Sequence, residues 1–335
     1  MKLTLDPRFP IAYYSFILEG FRRVLGAGIS VGDVGIGETE FNDGLACVVE
    51  AGGVSLRCYF STNDHARVDR TALAWADVYG IVNYDPLWLT DPAYTKVVPI
   101  GPVFAVRSWG SDTPIDMLRL SAARVDGVRQ AFDATVYLVK LLRDRIEEQR
   151  YVPSTSQAGY VFFAAWAWKK HLEVNPPRAR FVRACRLVPH LLFEGGFAPR
   201  RRQDVPGLDD VTAPRKYPIR DYMRRMQRSA VAFNCPAVHR CLGWKLGEFF
   251  ALGKAIVSLP LGRALPAPLE HGKHIHFVDD NEVAMAEAVR RIAFDDGYRR
   301  HLELNARAYY LRHLAPERVV MNVCGRLLEG PHAPA

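Results

Sequence analysis

The residues best placed to do chemistry lie between positions 234 and 248. An apolar run, Val231-Ala232-Phe233, leads into the loop Asn234-Cys235-Pro236-Ala237-Val238-His239-Arg240-Cys241-Leu242-Gly243, and a helix is expected over Trp244 to Leu252. In an open α/β sheet ligands lie outside the carboxyl ends of the strands, where loop amides and helix N-termini converge. His239 and Arg240 bring cationic donors to that loop, and Gly243 lets a ligand approach the backbone, so the loop suits a diphosphate. Glu248 lies four residues beyond Trp244 and projects from about the same helix face, with Lys245 three residues before it. A carboxylate there can accept both hydroxyl protons of a ribose while Lys245 or Arg240 neutralises phosphate. The plainer alternative is an exposed Lys/Glu pair that only supports the helix.

Other candidates are scattered. In the first half, Thr62-Asn63-Asp64-His65 directly follows a strand, so Asp64 or His65 could deprotonate an acceptor hydroxyl. Asp43, near the end of an acidic glycine-rich loop, is their rival; a helix cap, a surface histidine and a turn are the plain alternatives. In the second half, Lys216-Tyr217-Pro218-Ile219 precedes a helix, and Tyr217 could stack on a base or sit in the core. Gly195-Gly196 could admit a ligand to the backbone or form a turn. Trp166 and Trp168, at a strand end, could contact sugars or pack inside. No loop carries a convincing metal-binding carboxylate pair. Asp209-Asp210 and Asp279-Asp280 read as solvated turns, with Asp279 to Asn281 capping a helix near Glu282. No metal and no cofactor are therefore expected.

The elements that must hold these residues alternate. Strands are expected at Leu3 to Leu5, Ser30 to Val34, Leu45 to Glu50, Val54 to Ser61, Val78 to Asn83 and Lys96 to Ile100, with helices over Ala12 to Leu25 and Arg67 to Ala76. Met117 to Arg150 reads as mostly helix and ends at Tyr151-Val152-Pro153, the expected boundary between a domain of residues 1–152 and one of residues 153–335. The pattern then restarts: strands at Tyr160 to Ala165, Leu191 to Phe193, Ala230 to Phe233, Ala255 to Ser258 and Ile275 to Val278, helices at Arg178 to Arg186, Ile219 to Arg228 and Trp244 to Leu252, and helices from Glu282 onward. Two α/β units follow from this alternation.

Composition narrows the function classes. The 335 residues are 49% hydrophobic, enough for two ordinary cores. The start lacks a secretory signal and no apolar run reaches bilayer length, so a cytoplasmic protein is expected. Six cysteines without a CxxC pair read as free thiols. The net charge of +8 is concentrated between Arg178 and Arg228, where thirteen basic residues face five acids, so an anionic partner is implied: nucleotide, nucleic acid or membrane. No helix-turn-helix, RNP-like or zinc-finger pattern accompanies the basic belt, which weighs against a nucleic-acid partner. Gly35-x-Gly37 fails the dinucleotide-binding spacing and is followed by acids.

The stretch Gly243-Trp244-Lys245-Leu246-Gly247-Glu248-Phe249-Phe250-Ala251-Leu252-Gly253-Lys254-Ala255-Ile256-Val257 resembles the donor-site helix and following strand of group 1, GT-B glycosyltransferases. The shared skeleton is a Lys, a Glu three residues on, then Ala, Gly-Lys and an apolar strand. Tyr160 to Trp168, Asn175-Pro176-Pro177-Arg178, Ala76 to Asp85, Lys96 to Pro102 and Leu314-Ala315-Pro316-Glu317 are similar to other parts of such enzymes. The resemblance implies two Rossmann-like domains facing each other across a cleft, with Glu248 holding the donor ribose and Lys245 or the helix N-terminus facing the diphosphate. It also implies a nucleotide-sugar donor and a glycan or lipid-linked glycan acceptor, and the Arg200-Arg201-Arg202 run would suit peripheral attachment to the inner face of a membrane. Eight residues before Glu248, where many retaining members carry an acid, this chain has Arg240, and Ile81-Val82 stand where related chains carry a Lys. Stereochemistry and acceptor stay open on those grounds. A GT-B relic that binds glycan without turnover is the remaining alternative.

Overall fold

The computed structural model describes residues 2–26, 29–41, 43–107, 132, 136, 139, 143–200 and 205–328. The chain divides into two compact units, one of residues 1–150, 263–267 and 312–335, the other of residues 151–262 and 268–311. The helix expected over Met117 to Arg150 lies mostly outside the described residues, as do Arg201 and Arg202.

In the first unit, β1 (Lys2–Leu5), β2 (Ile29–Val31), β3 (Leu45–Ala51), β4 (Val54–Ser61), β5 (Val78–Ile81) and β6 (Val97–Pro99) form one sheet in the order β2-β1-β3-β4-β5-β6. The β3–β4 pair is an antiparallel hairpin closed by Gly52-Gly53, both at positive φ, whereas β4, β5 and β6 run parallel. Helix α1 (Ile11–Leu25) buries Phe16, Ile17 and Phe21 and stops at Gly26, whose left-handed φ of 57° lets its N–H reach the Arg22 carbonyl. Helix α2 (Arg70–Trp75) begins three residues later than the pattern suggested, because Asp69 caps it by accepting from Ala72 N at 2.9 Å.

The last helix, counted α8 in chain order (Pro316–Leu328), packs on α1. Gly20 permits this, since a Cβ there would overlap the Pro316 carbonyl and stand 2.8 Å from Val320. Gly20→Ala is expected to push the two helices apart and lower unfolding free energy by roughly 1–3 kcal/mol in urea titration. Arg23 locks the same helices electrostatically, touching Glu19, Glu148 and Glu317 at 2.9, 2.6 and 3.1 Å.

In the second unit, β7 (Tyr160–Ala165) and β8 (Leu192–Phe197) are parallel, and so are β9 (Ala232–Asn234), β10 (Ile256–Ser258) and β11 (His276–Phe277). The two groups join where Ala230 N donates to the Tyr160 carbonyl and Phe162 N donates to the hydroxyl of buried Ser229, at 2.8 and 2.9 Å. Ser229 Oγ thus replaces one rung of the ladder and in turn donates to the Val231 carbonyl. The spatial order is β8-β7-β9-β10-β11, a doubly wound arrangement whose strand order reverses between β7 and β9. Helices α3 (Asn175–Leu187), α4 (Ile219–Arg228), α5 (Trp244–Ala251), α6 (Glu282–Phe294) and α7 (Asp296–Tyr309) complete it. The core is apolar and aromatic: Phe163, Phe181 and Phe233 touch one another, the last two stacked at 4.2 Å. Each unit is α/β, as the alternation of elements required.

Candidate functional site at the β7–β9 switch point

In an open parallel sheet the carboxyl ends of the strands flanking the reversal are where ligands bind; here the segments that follow β7 and β9 meet, Val174 packing with Ala237, Val238 and Cys241. Helix α5 starts behind the β9 loop. Gly243 is its N-cap, in extended conformation at φ −76°, and a Cβ there would meet only Ala237, at 3.9 Å. Trp244 and Lys245 open the helix and Glu248 follows one turn on, as the spacing required.

Lys245 is half-buried and donates to the Ala164 carbonyl near the end of β7. Its ammonium stands 5.3 Å over the Tyr222 ring and 5.6 Å over the Phe163 ring. Burial, with the charge of Arg178 added, pushes its pKa down to about 8, against an opposing pull from Glu248. Glu248 is only 5% exposed, and Tyr222 on α4 donates to its carboxylate at 3.4 Å. Burial and the Glu248 charge both hold the Tyr222 hydroxyl protonated well beyond its ordinary range, so Tyr222 stays a donor. The Lys and the Glu are therefore not an exposed helix-supporting pair: Glu248 is buried and Lys245 half-buried.

His239 and Arg240 both occupy the left-handed region, at φ 52° and 59°, which is rare for consecutive non-glycine residues. The turn swings the Arg240 guanidinium flat against the backbone of Gly262, where even a methyl group would stand 2.9 Å from Nε. His239 turns its ring to His171, 5.2 Å away.

The loop after β7 lies against the β9 loop. Buried Asn175, the first residue of α3, accepts from Trp168 N and donates to the Trp168 carbonyl at 2.9 and 2.8 Å. That clamp leaves Trp166 61% and Trp168 37% exposed rather than packed inside. Lys216 Nζ lies 5.1 Å over the Trp166 ring. Tyr217 packs edge-on against Phe162 and is flanked by the guanidinium groups of Arg215 and Arg225 at 4.9 and 5.3 Å, so its faces are occupied by cations. Gly196, at φ 131°, is buried, and the close approach it permits is made by the chain itself at the Val211 carbonyl.

Glu248, Lys245, Arg240, His239, Gly243, Trp244, Tyr217, Lys216 and Gly196 all belong to one unit. Asp64, His65 and Asp43 belong to the other unit. There Asn63 organises the loop: its side chain donates to Ser61 Oγ and accepts from His65 N, while Asn83 donates to its carbonyl. Asp64 is exposed and His65 half-buried. Asp43 faces Arg67 at 3.5 Å, and burial, with Asp69 adding repulsion, raises its pKa against the pull of Arg67. Asn175 and Arg178 enter the sequence analysis within the family-like run that opens a helix, with no role of their own, and Tyr222 carries no signal there. The run Asn175-Pro176-Pro177 was the available signal for Asn175, since proline is accepted in a first helical turn and marks a helix start.

Comparison with known proteins adds likeness without close kinship. No family model matches the chain, and no curated protein matches it. Among solved structures it is similar to TarM of S. aureus, with 9% identity and a TM-score of 0.45 over 81% of this chain and 49% of that one. It is also similar to a glycosyltransferase from Rickettsia africae, with 10% identity and a TM-score of 0.43 over 81% and 71% of the two chains. Anabaena HepE in complex with UDP and glucose gives 14% identity and a TM-score of 0.42 over 77% and 64%. The chain spans about half the length of TarM. Among the described residues no helix is long and apolar enough to cross a membrane, and no cluster of three or more His, Cys, Asp or Glu has metal-binding geometry.

Proposed function

We propose that the chain is a GT-B glycosyltransferase, hexosyltransferase-like, that moves a sugar from a nucleotide-sugar donor to a hydroxyl of a glycan without a bound metal. The observation that carries this reading is the pairing of Glu248 with Lys245 on α5, at the point where the strand order of a parallel sheet reverses. Glu248 accepts the two ribose hydroxyls. Lys245, Arg240 and the amides at the start of α5 face the diphosphate. In the transfer the bond from the anomeric carbon to the diphosphate oxygen breaks, and its electron pair leaves on the nucleoside diphosphate. The acceptor oxygen bonds to that carbon and gives its proton to a base, for which Asp43, Asp64 and His65 are the candidates. Cationic side chains and amides absorb the charge of the leaving group, the task a metal performs in other transferases. The unit of residues 151–262 and 268–311 is the donor-binding half and the other unit the acceptor side in this reading.

A thermal-shift panel of UDP, GDP, ADP, CMP and dTDP tests it. One nucleotide should raise the melting temperature by several degrees at about 100 times its Kd, where ligation adds roughly 2.7 kcal/mol. Silence from all five removes the proposal. The pKa of Lys245 sets a second expectation. Its ammonium is lost as pH rises through about 8, so affinity for the anionic nucleotide should fall between pH 7 and 9. Lys245→Met, neutral throughout, should bind weakly with a flatter profile in calorimetric titrations across that range.

A further inference from the structure

The exposed indoles of the β7 loop are not needed for the nucleotide contacts above, yet the fold holds them out in solvent. Trp166 is 61% and Trp168 37% exposed, and the chain does not leave them there by default, because buried Asn175 fixes the Trp168 backbone through two hydrogen bonds. From Trp168 a row of rings continues through His171, 5.9 Å away, to His239, a further 5.2 Å. Basic side chains accompany both indoles: Lys216 lies over Trp166, and Lys169 and Lys170, next in sequence to Trp168, are exposed.

We infer that this aromatic row is a subsite for an anionic saccharide, a chain whose sugar rings carry carboxylate or phosphate groups. An indole face offers apolar, polarizable surface that matches the C–H face of a pyranose. The bordering ammonium groups pair with the charged substituents. An anionic bilayer surface offers Trp and Lys contacts of the same kind at its interface, and the vesicle arm of the test separates it. Single-stranded nucleic acid satisfies the same general chemistry of stacking plus positive charge. The saccharide is preferred because the row ends at His239, in the loop read as part of the sugar-transfer site, and in that choice the inference rests on the glycosyltransferase reading.

The test uses the whole protein and follows tryptophan fluorescence on titration with a hexameric uronic-acid oligosaccharide, a neutral hexasaccharide, a hexathymidylate and anionic phospholipid vesicles. The uronate should bind saturably, at least tenfold tighter than the neutral chain. Trp166→Ala and Trp168→Ala should each weaken it about tenfold, and Lys216→Ala should erase most of the preference for charge. Circular dichroism and the nucleotide thermal shift should be unchanged in all three variants. Equal binding of the neutral and acidic chains, unaltered binding in the tryptophan variants, or tighter binding of the hexathymidylate or the vesicles would overturn the inference. Loss of nucleotide response in the wild type would instead sink the glycosyltransferase reading, and the two failures read out separately.

Discussion

Glu248→Gln is expected to weaken binding of the responding nucleoside diphosphate by about 100-fold while leaving the fold intact. The substitution keeps the shape of the side chain, so the apolar surroundings on α5 need not move. What changes is the acceptor. A carboxylate can take both protons of a vicinal diol, whereas an amide has one oxygen and presents an NH2 that opposes the second hydroxyl. Glu248 is 5% exposed, so water is poorly placed to repair the mismatch. Hydrogen bonds to charged groups are worth ~1.5–3 kcal/mol each. Partial loss of two comes to about 3 kcal/mol, or roughly two decades in Kd. Tyr222 can still donate to the amide oxygen, which preserves the native contact and separates a binding defect from unfolding. The decisive control is the 2′-deoxy analogue. Wild type should bind it about tenfold or more weaker than the ribonucleotide, and Glu248→Gln should lose that discrimination. Unchanged affinity for the ribonucleotide in calorimetry, or a response confined to dTDP, would remove Glu248 from the ribose.

The Lys245–Glu248 spacing was legible because helix periodicity is a local property, and so was the loop from residue 234 to residue 243, because an apolar strand announces it. Tyr222 was not legible as their partner. Its helix shows a buried face of Tyr222, Met223 and Met226, but nothing local says which helix that face meets. Strand β8 was read as ending at Phe193 because glycine is a poor strand former. It continues to Phe197 through Gly195 and Gly196 at φ 114° and 131°, a backbone that only glycine adopts without strain. The helical stretch after Glu282 divides at Asp295, whose side chain caps the following helix by accepting from Tyr298 N at 2.9 Å. The same residue type that marks a turn also starts a helix, and periodicity alone does not choose. The Gly253-Lys254 part of the family-like skeleton has a structural cause within its own unit. Gly253 ends α5 at φ 58°, and the Lys254 ammonium is buried against Ser156 Oγ and the Gln227 carbonyl at 2.6 and 3.0 Å. The return of α8 to the first unit depends on contacts with residues some 300 positions earlier, such as Arg23 with Glu317, and no sequence window spans them.

Gly196→Ala should strongly destabilise the second unit. At φ 131° an L side chain is strained wherever it points, a penalty of roughly 1–3 kcal/mol. Its Cβ would also overlap the Val211 carbonyl oxygen and stand 3.1 Å from Ala213 N. Neither neighbour can retreat. Ala213 N donates to the Phe197 carbonyl at 2.7 Å, and Thr212 is bridged to Phe197, so the obstructing segment is tied to the residue after the glycine. Overpacking against fixed atoms adds roughly 1–3 kcal/mol, for a total near 4 kcal/mol, a large share of the 5–15 kcal/mol that holds a typical domain. Gly207→Ala isolates the conformational part, since φ there is 76° and nothing lies within 4 Å of the added methyl; it should cost only about 1 kcal/mol. Denaturant midpoints for the two variants measure the difference. The comparison also decides what Gly196 is for. If it serves the chain's own packing, nucleotide affinity measured well below the melting transition should match wild type. A Gly196→Ala protein of native stability that bound nucleotide poorly would assign the space beside it to the ligand instead.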